Sequence, residues 1–154
     1  MATTRTQRKS ATDATRADPR PVSNANFLVD LGLGDPEAPE AGFAEVLLPP
    51  LRSKEDDTDL APARLVLRRG VNGALDLYGW WDKCRRTSRT SLTSRPQPRD
   101  VTVTLLGADL TPVMRWRFSN ARPVALSYSP LRASEGTVLM ETIEIAFDAM
   151  KVRR

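Results

Sequence analysis

From Arg99 onward the chain alternates. Val101, Val103 and Leu105 are separated by Thr102 and Thr104, and Met114, Trp116 and Phe118 by Arg115 and Arg117. This is the period of two that a strand with one buried face requires. Gly107-Ala108-Asp109 lies between the two runs and supplies a tight reversal, so the pair is predicted to form a hairpin. A proline-marked link follows. Thr137 to Met150, rich in Val, Ile, Thr and Phe, is predicted as one long strand. So extended a sheet in so small a protein must close on itself or have its edges covered.

Upstream, Asn26 to Leu33 reads as a first strand, with Phe27, Val29 and Leu31 on one face. Gly34-Asp35-Pro36 ends it with turn chemistry. Ala41 to Leu48 resumes as strand and is stopped by Pro49-Pro50. Leu51 to Ala63 gathers Glu55, Asp56, Asp57 and Asp59 but lacks the Gly and terminal Glu of a calcium loop, so it is expected to be a solvated loop. Arg64 to Arg69 is a further strand in which Leu65 and Leu67 face away from Val66 and Arg68. After Gly70 the period changes. Val71, Ala74, Leu75, Tyr78 and Trp81 (or Trp80) fall at helical spacing behind Asn72, a plausible N-cap, so a short helix is expected over Gly73 to Cys84. Gly79 within it costs about 1 kcal/mol against Ala. The paired tryptophans are expected to fix the helix to the sheet, a sugar- or base-stacking platform being the alternative. Lys83 to Arg99 carries Lys83, Arg85, Arg86, Arg89, Arg95 and Arg99 among Ser and Thr and reads as a solvated loop or a surface that meets a protein partner. It lacks the interleaved aromatics of a nucleic-acid platform. Residues 1–20 have almost no large apolar side chain and are expected to form a flexible arm, leaving 21–154 as the folded domain.

Composition narrows the chemistry. The 154 residues suit one domain, and a net charge of +4 is modest. There is no histidine and only one cysteine, Cys84, which removes the commonest general base, the usual zinc sets and any intrachain disulfide. One cysteine also fits a reducing compartment. No apolar run reaches the roughly 18 residues of a membrane span, and the first twenty residues lack the apolar centre of a secretory signal, so neither insertion nor export is expected. No Gly-rich phosphate loop follows a strand. The carboxylates Glu141 and Glu144 would point to opposite faces of one strand, which leaves a small hydrolase with little to work with. No enzyme activity, cofactor or metal is expected.

The order of these segments resembles the tail tube proteins of contractile phages and of phage-tail-like contractile injection particles, relatives of the type VI secretion tube protein. The resemblance rests on Asp18-Pro19 followed by NFLVDLGLG (Asn26 to Gly34), AGFAEV (Ala41 to Val46), LVLRRGVNGALDLYGWWDK (Leu65 to Lys83), RDVTVTLLGADLTPVMRWRFSNARPV (Arg99 to Val124) and TVLMETIEIAFDAM (Thr137 to Met150). It covers about four-fifths of the chain, and its specificity lies in the order and spacing rather than in any one piece.

The resemblance implies a mainly β fold of two packed antiparallel sheets forming a small barrel with one flanking helix. It also implies hexameric rings that stack into a tube inside a contractile sheath, with cargo in the lumen. Partners would then be further copies of the chain, sheath, baseplate or other tube proteins. Assembly would take place in the bacterial cytoplasm, for a phage virion or a tail-like particle. Within that frame Tyr78, Trp80 and Trp81 are expected to seat the helix on the barrel, and Trp116 and Phe118 to fill its core. Arg85, Arg86 and Arg89 would meet a partner. Two departures stand out: Leu47 to Ala63 is short and acidic where the family has a long hairpin, and Arg122 stands before Pro123 where the family has Trp. They fit a subunit joining tube to baseplate as well as the repeated one. A basic nucleic-acid-binding β module is the alternative function.

Overall fold

The computed structural model describes residues 21–33, 42–53, 62–90 and 99–154, with 87–90 described by their backbone alone. The expected N-terminal arm, the Gly34–Pro36 turn, the acidic cluster and Arg95 lie outside the described residues.

The predicted hairpin forms from β4 (Arg99–Leu106) and β5 (Pro112–Tyr128), with Val103 opposite Trp116 and Val101 opposite Phe118. Its reversal is closed by Gly107 N–H donating to the Thr111 carbonyl at 2.8 Å, and Asp109 Oδ1 accepts from the Thr111 amide and hydroxyl. Leu110 takes the left-handed conformation there, at φ 62°.

The proline-marked link does not exist. β5 continues through Pro123 for 17 residues in all, and its second part pairs β6 (Met140–Ala146), with Arg122 opposite Ala146 and Tyr128 opposite Glu141. Proline is tolerated because this part of β5 has a ladder partner on one side only, so its missing N–H breaks no bond on the open side. The predicted long closing strand is divided into β6 and β7 (Ala149–Arg153), which pairs the first part of β5. Register is nevertheless kept across the gap: Ser119 faces Ala149 and Arg122 faces Ala146, three residues further on each side. The gap therefore marks a bend, and Asn120, at φ 53°, lies where β5 also slips against β4.

β3 (Leu65–Gly70) pairs β6, β2 (Glu45–Leu47) pairs β3, and β1 (Phe27–Asp30) pairs β4, all antiparallel. The result is one seven-stranded antiparallel sheet of order β1-β4-β5-β6-β3-β2, with β7 added on β5. This corrects the expectation of two sheets closed into a small barrel. β5 belongs to both halves, so there is one continuous sheet, and its end strands β1 and β2 are not paired to each other.

The two halves still share a core. Val29, Val101, Val103 and Phe118 from one half meet Leu65, Leu67, Ile143 and Ile145 from the other. Phe118 is fully buried, with the Phe147 ring edge-on at 5.0 Å. Trp116 is only partly buried beside it.

The helix α1 spans Asp76–Thr90, starting three residues later than expected and running into the first part of the stretch Lys83 to Arg99 expected as a loop. Asn72 does not cap it. Its Oδ1 accepts from the Ala74 amide, turning the chain ahead of the helix, and the first helical bond runs from Gly79 N–H to the Leu75 carbonyl.

Phe118→Ala should destabilise the protein by about 3–5 kcal/mol, because it empties the point where the halves meet. Leu131→Ala, at a site 85% exposed, should stay within about 0.5 kcal/mol. Urea unfolding of both variants checks this, and equal effects would contradict a shared core at Phe118.

Candidate assembly surface

The buried stripe of α1 differs from the expected one, because Val71, Ala74 and Leu75 precede the helix. Leu77 and Trp80 enter the core, with Cys84 packed at its margin, which is the i, i+3, i+7 spacing of a seated helix. Of the residues expected to seat the helix, Trp80 is buried, Trp81 is half-buried, and Tyr78 is 44% exposed. Tyr78 and Trp81 lie against each other with ring centroids 6.0 Å apart, and the Arg85 guanidinium sits 5.2 Å from the Trp81 ring centre. Leu77 lies outside the expected stripe because that stripe is anchored on Val71, Ala74 and Leu75, which precede the helix.

Asp82 holds the arginines after the tryptophans: Arg85 donates to it at 2.8 Å, and Arg86 pairs with it at 2.7 Å. Their hydrogen bonds hold its carboxyl below the usual range. The Arg89 side chain lies outside the described residues. Burial pushes the Cys84 thiol up, against the opposing charge of Arg99, so the nucleophilic thiolate is disfavoured. Arg99 lies over the Trp80 ring at 5.0 Å, and its Nη1 is buried without a hydrogen-bond partner.

The helix start is tied to the sheet by a buried ionic clamp. Arg69 is 2% exposed and Glu141 3%. Arg69 Nε donates to Glu141 Oε1 at 2.5 Å, Nη1 donates to Asp76 Oδ2 at 3.0 Å, and Nη2 donates to Asp76 Oδ1. Burial alone would lower the Arg69 pKa, but the bonds to Asp76 and Glu141 outweigh it and raise it further. The Arg69 hydrogen bonds hold the Asp76 carboxyl below its ordinary value. Strand alternation already placed Arg69 on the Leu65 and Leu67 face, and that was the signal available in the sequence.

At the bend, Asp148 accepts from Asn120 Nδ2 and Arg122 Nη1, both at 2.9 Å. The half formed by β1, β4, β5 and β7 turns its apolar face to the core and a polar face outward. On that outer face Arg115 stands opposite Arg153, and Arg117 opposite Lys151. Among the described residues Arg117 alone of these four has a carboxylate, Asp100, which accepts from its Nε at 3.0 Å. The two edges of this half, β1 and β7, contain no proline. By contrast, β2 is three residues long and runs within two residues of Pro49-Pro50, and the open part of β5 contains Pro123.

Among the described residues no group of three His, Cys, Asp or Glu side chains converges as a metal site. No helix is long and apolar enough to cross a membrane. What the structure offers is two strand edges, β1 and β7, whose outer sides pair with no strand among the described residues.

Comparison with known proteins agrees with that emphasis. The family model of the T4-like virus tail tube protein gp19 matches residues 58–151. Solved structures share the fold. A chain of the anti-feeding prophage (AFP) baseplate, 6-fold symmetrised, is 28% identical, with 87% of this chain and 96% of that one covered at a TM-score of 0.58. A chain of the PVC sheath/tube terminator in the extended state is 20% identical, covering 90% and 100% at 0.65. Hcp1 from Flavobacterium johnsoniae is 13% identical, covering 82% and 93% at 0.53. No curated protein sequence matches the chain.

Glu141→Ala should cost about 1.5–3 kcal/mol, because the buried Arg69 Nε loses its acceptor while Asp76 still pairs the other end of the guanidinium. The Asp76 contribution has a definite pH sign. Its folded pKa is depressed, so the stability it adds is complete above the ordinary carboxylate value and is lost as pH falls through the folded one. Asp76→Asn should therefore flatten the acid limb of the stability–pH curve. Unfolding midpoints below about pH 5 measure this, and an unchanged limb would contradict it.

Proposed function

Because the chain belongs to the family of the T4-like virus tail tube protein gp19, we propose that it is a structural, non-enzymatic subunit of the inner tube of a contractile tail or injection particle. The observation that carries this is the half formed by β1, β4, β5 and β7, whose two proline-free edges leave rows of backbone donors and acceptors that no strand among the described residues pairs. Open edges of this kind are completed by another chain. Copies joined head to tail through them close a ring and leave no edge in its plane, whereas copies joined without closure would grow as fibres. Six copies per ring is supported by the 6-fold symmetry of the AFP baseplate structure. Rings stacked along their axis then make the tube, with sheath, baseplate and further tube proteins as partners. Such a particle, phage virion or cellular injection device, is assembled in the bacterial cytoplasm. Arg85 and Arg86 lie on the helix away from the shared core, and with Arg89 in its last turn they are assigned to contact with sheath or another component.

A second reading, a subunit at the junction of tube and baseplate, has its own support. Identity to the baseplate-structure chain is 28%, against 20% for the terminator chain. Leu47 to Ala63 is too short for the long hairpin of a repeated subunit.

Sedimentation and electron microscopy of the purified chain, alone and with the tube and baseplate proteins encoded beside it, test both readings. Stacked tubes are expected for the repeated subunit and single rings bound to baseplate for the junction. Persistent monomer, without rings under either condition, would remove both. Ring interfaces should bury more than about 2,000 Å². The Arg85/Arg86/Arg89→Gln variant should keep its stability within about 1 kcal/mol, since these are surface charges, but should lose co-assembly with sheath.

A further inference from the structure

The outer face of the half formed by β1, β4, β5 and β7 has a charge pattern that sheet folding does not ask for. Arg115 is directly opposite Arg153, and Arg117 directly opposite Lys151. Side chains so placed have Cβ atoms about 5 Å apart, and like charges at that spacing destabilise a sheet. The other described arginines that protrude from strands find carboxylates: Arg68 pairs Glu45, Arg117 pairs Asp100 and Arg122 pairs Asp148. Arg115, Lys151 and Arg153 have no such partner among the described residues, and all three are exposed. With Arg117 they form a two-by-two grid of cations. Thr102 and Thr104, on the neighbouring strand, lie opposite Arg117 and Arg115 and add hydroxyls at its border.

We propose that this grid of Arg115, Arg117, Lys151 and Arg153 is a docking surface for an acidic polypeptide segment. Guanidinium forks match carboxylates in two-point geometry, and an extended chain laid along β5 and β7 would present alternate side chains at the spacing of Arg115 and Arg117. A nucleic acid fits less well. Trp116 and Phe118, the aromatics of this part of β5, point to the core, so bases have nothing to stack on. A second copy of the same face is excluded as the occupant by its own charge.

Where the occupant comes from rests on the tube reading. The core, the helix and the other half of the sheet all lie behind this face. In a closed ring such bulky bodies fit only on the outside of the wall. The grid then lines the channel, and its ligand is an acidic stretch of a protein that travels or sits within the tube.

The test uses the full chain at concentrations where it is unassembled, so ring formation and binding fail or succeed separately. A fluorescent peptide of alternating Glu and Ser is titrated by anisotropy at low salt, alongside a single-stranded DNA oligonucleotide of equal charge. The Arg115→Gln/Lys151→Gln/Arg153→Gln variant should bind the peptide about tenfold more weakly or worse, while its melting temperature is unchanged or higher because like charges have been removed. Arg52→Gln/Arg64→Gln/Arg132→Gln, which lowers net charge equally elsewhere, should bind as the parent does. Equal loss in both variants would reduce the effect to net charge and overturn the proposal. So would no peptide binding, or tighter binding of the oligonucleotide. If the peptide binds but no rings form under any condition, the docking surface stands and its place in a channel falls.

Discussion

The fold depends on β5 serving two halves of one sheet. A strand of 17 residues is too long to stay flat beneath a single core, because strand twist accumulates along its length. It bends at Asn120, where it slips against β4 and where the strand across from it breaks between β6 and β7. Phe118 lies just before the bend and Pro123 just after it. The first packs both halves together, and the second sits where the strand's outer side is open. Without the bend, Val101 and Val103 could not share a core with Ile143 and Ile145.

The clamp of Arg69, Asp76 and Glu141 works on the same body from the other end. It joins β3, β6 and the first residue of α1 by hydrogen bonds, of which the one to Glu141 is withdrawn from water and those to Asp76 are partly so. Buried charges of this kind contribute little net stability but cost heavily when one is missing, so they favour one arrangement of helix on sheet over others. A subunit whose edges must meet those of identical neighbours needs such definition. A tilt of the helix or a slip of β3 would displace the edges by angstroms, and head-to-tail contacts close only when every copy repeats the same rotation.

Much of this was legible in the residues. Alternation located β1, β3 and the hairpin, and the order of segments pointed to the tail tube family that the family model also matches. What was misread has physical causes. Pro123 looked like a break because proline usually ends a strand, and nothing local reveals that one side of β5 is open. The helix was started too early because Asn72 has capping chemistry that the chain uses for a turn instead. Tyr78, Trp80 and Trp81 were grouped by type, yet the core takes Leu77 and Trp80, because Val71, Ala74 and Leu75, which set the expected stripe, precede the helix. Closure into a barrel was inferred from the need to cover edges. The single chain leaves those edges open, and the need passes to its neighbours. The cation grid was also hidden, because its two rows come from strands more than thirty residues apart whose register no local pattern sets.

The central claim is that neighbouring copies finish the sheet of the half formed by β1, β4, β5 and β7. Amide hydrogen exchange, compared between unassembled protein and purified rings, tests it most directly. The account predicts that amides of Phe27–Asp30 and Ala149–Arg153 that exchange quickly in the monomer become strongly protected in the ring, while the turn at Ala108–Leu110 stays fast. Rings that form without added protection along either edge would contradict it.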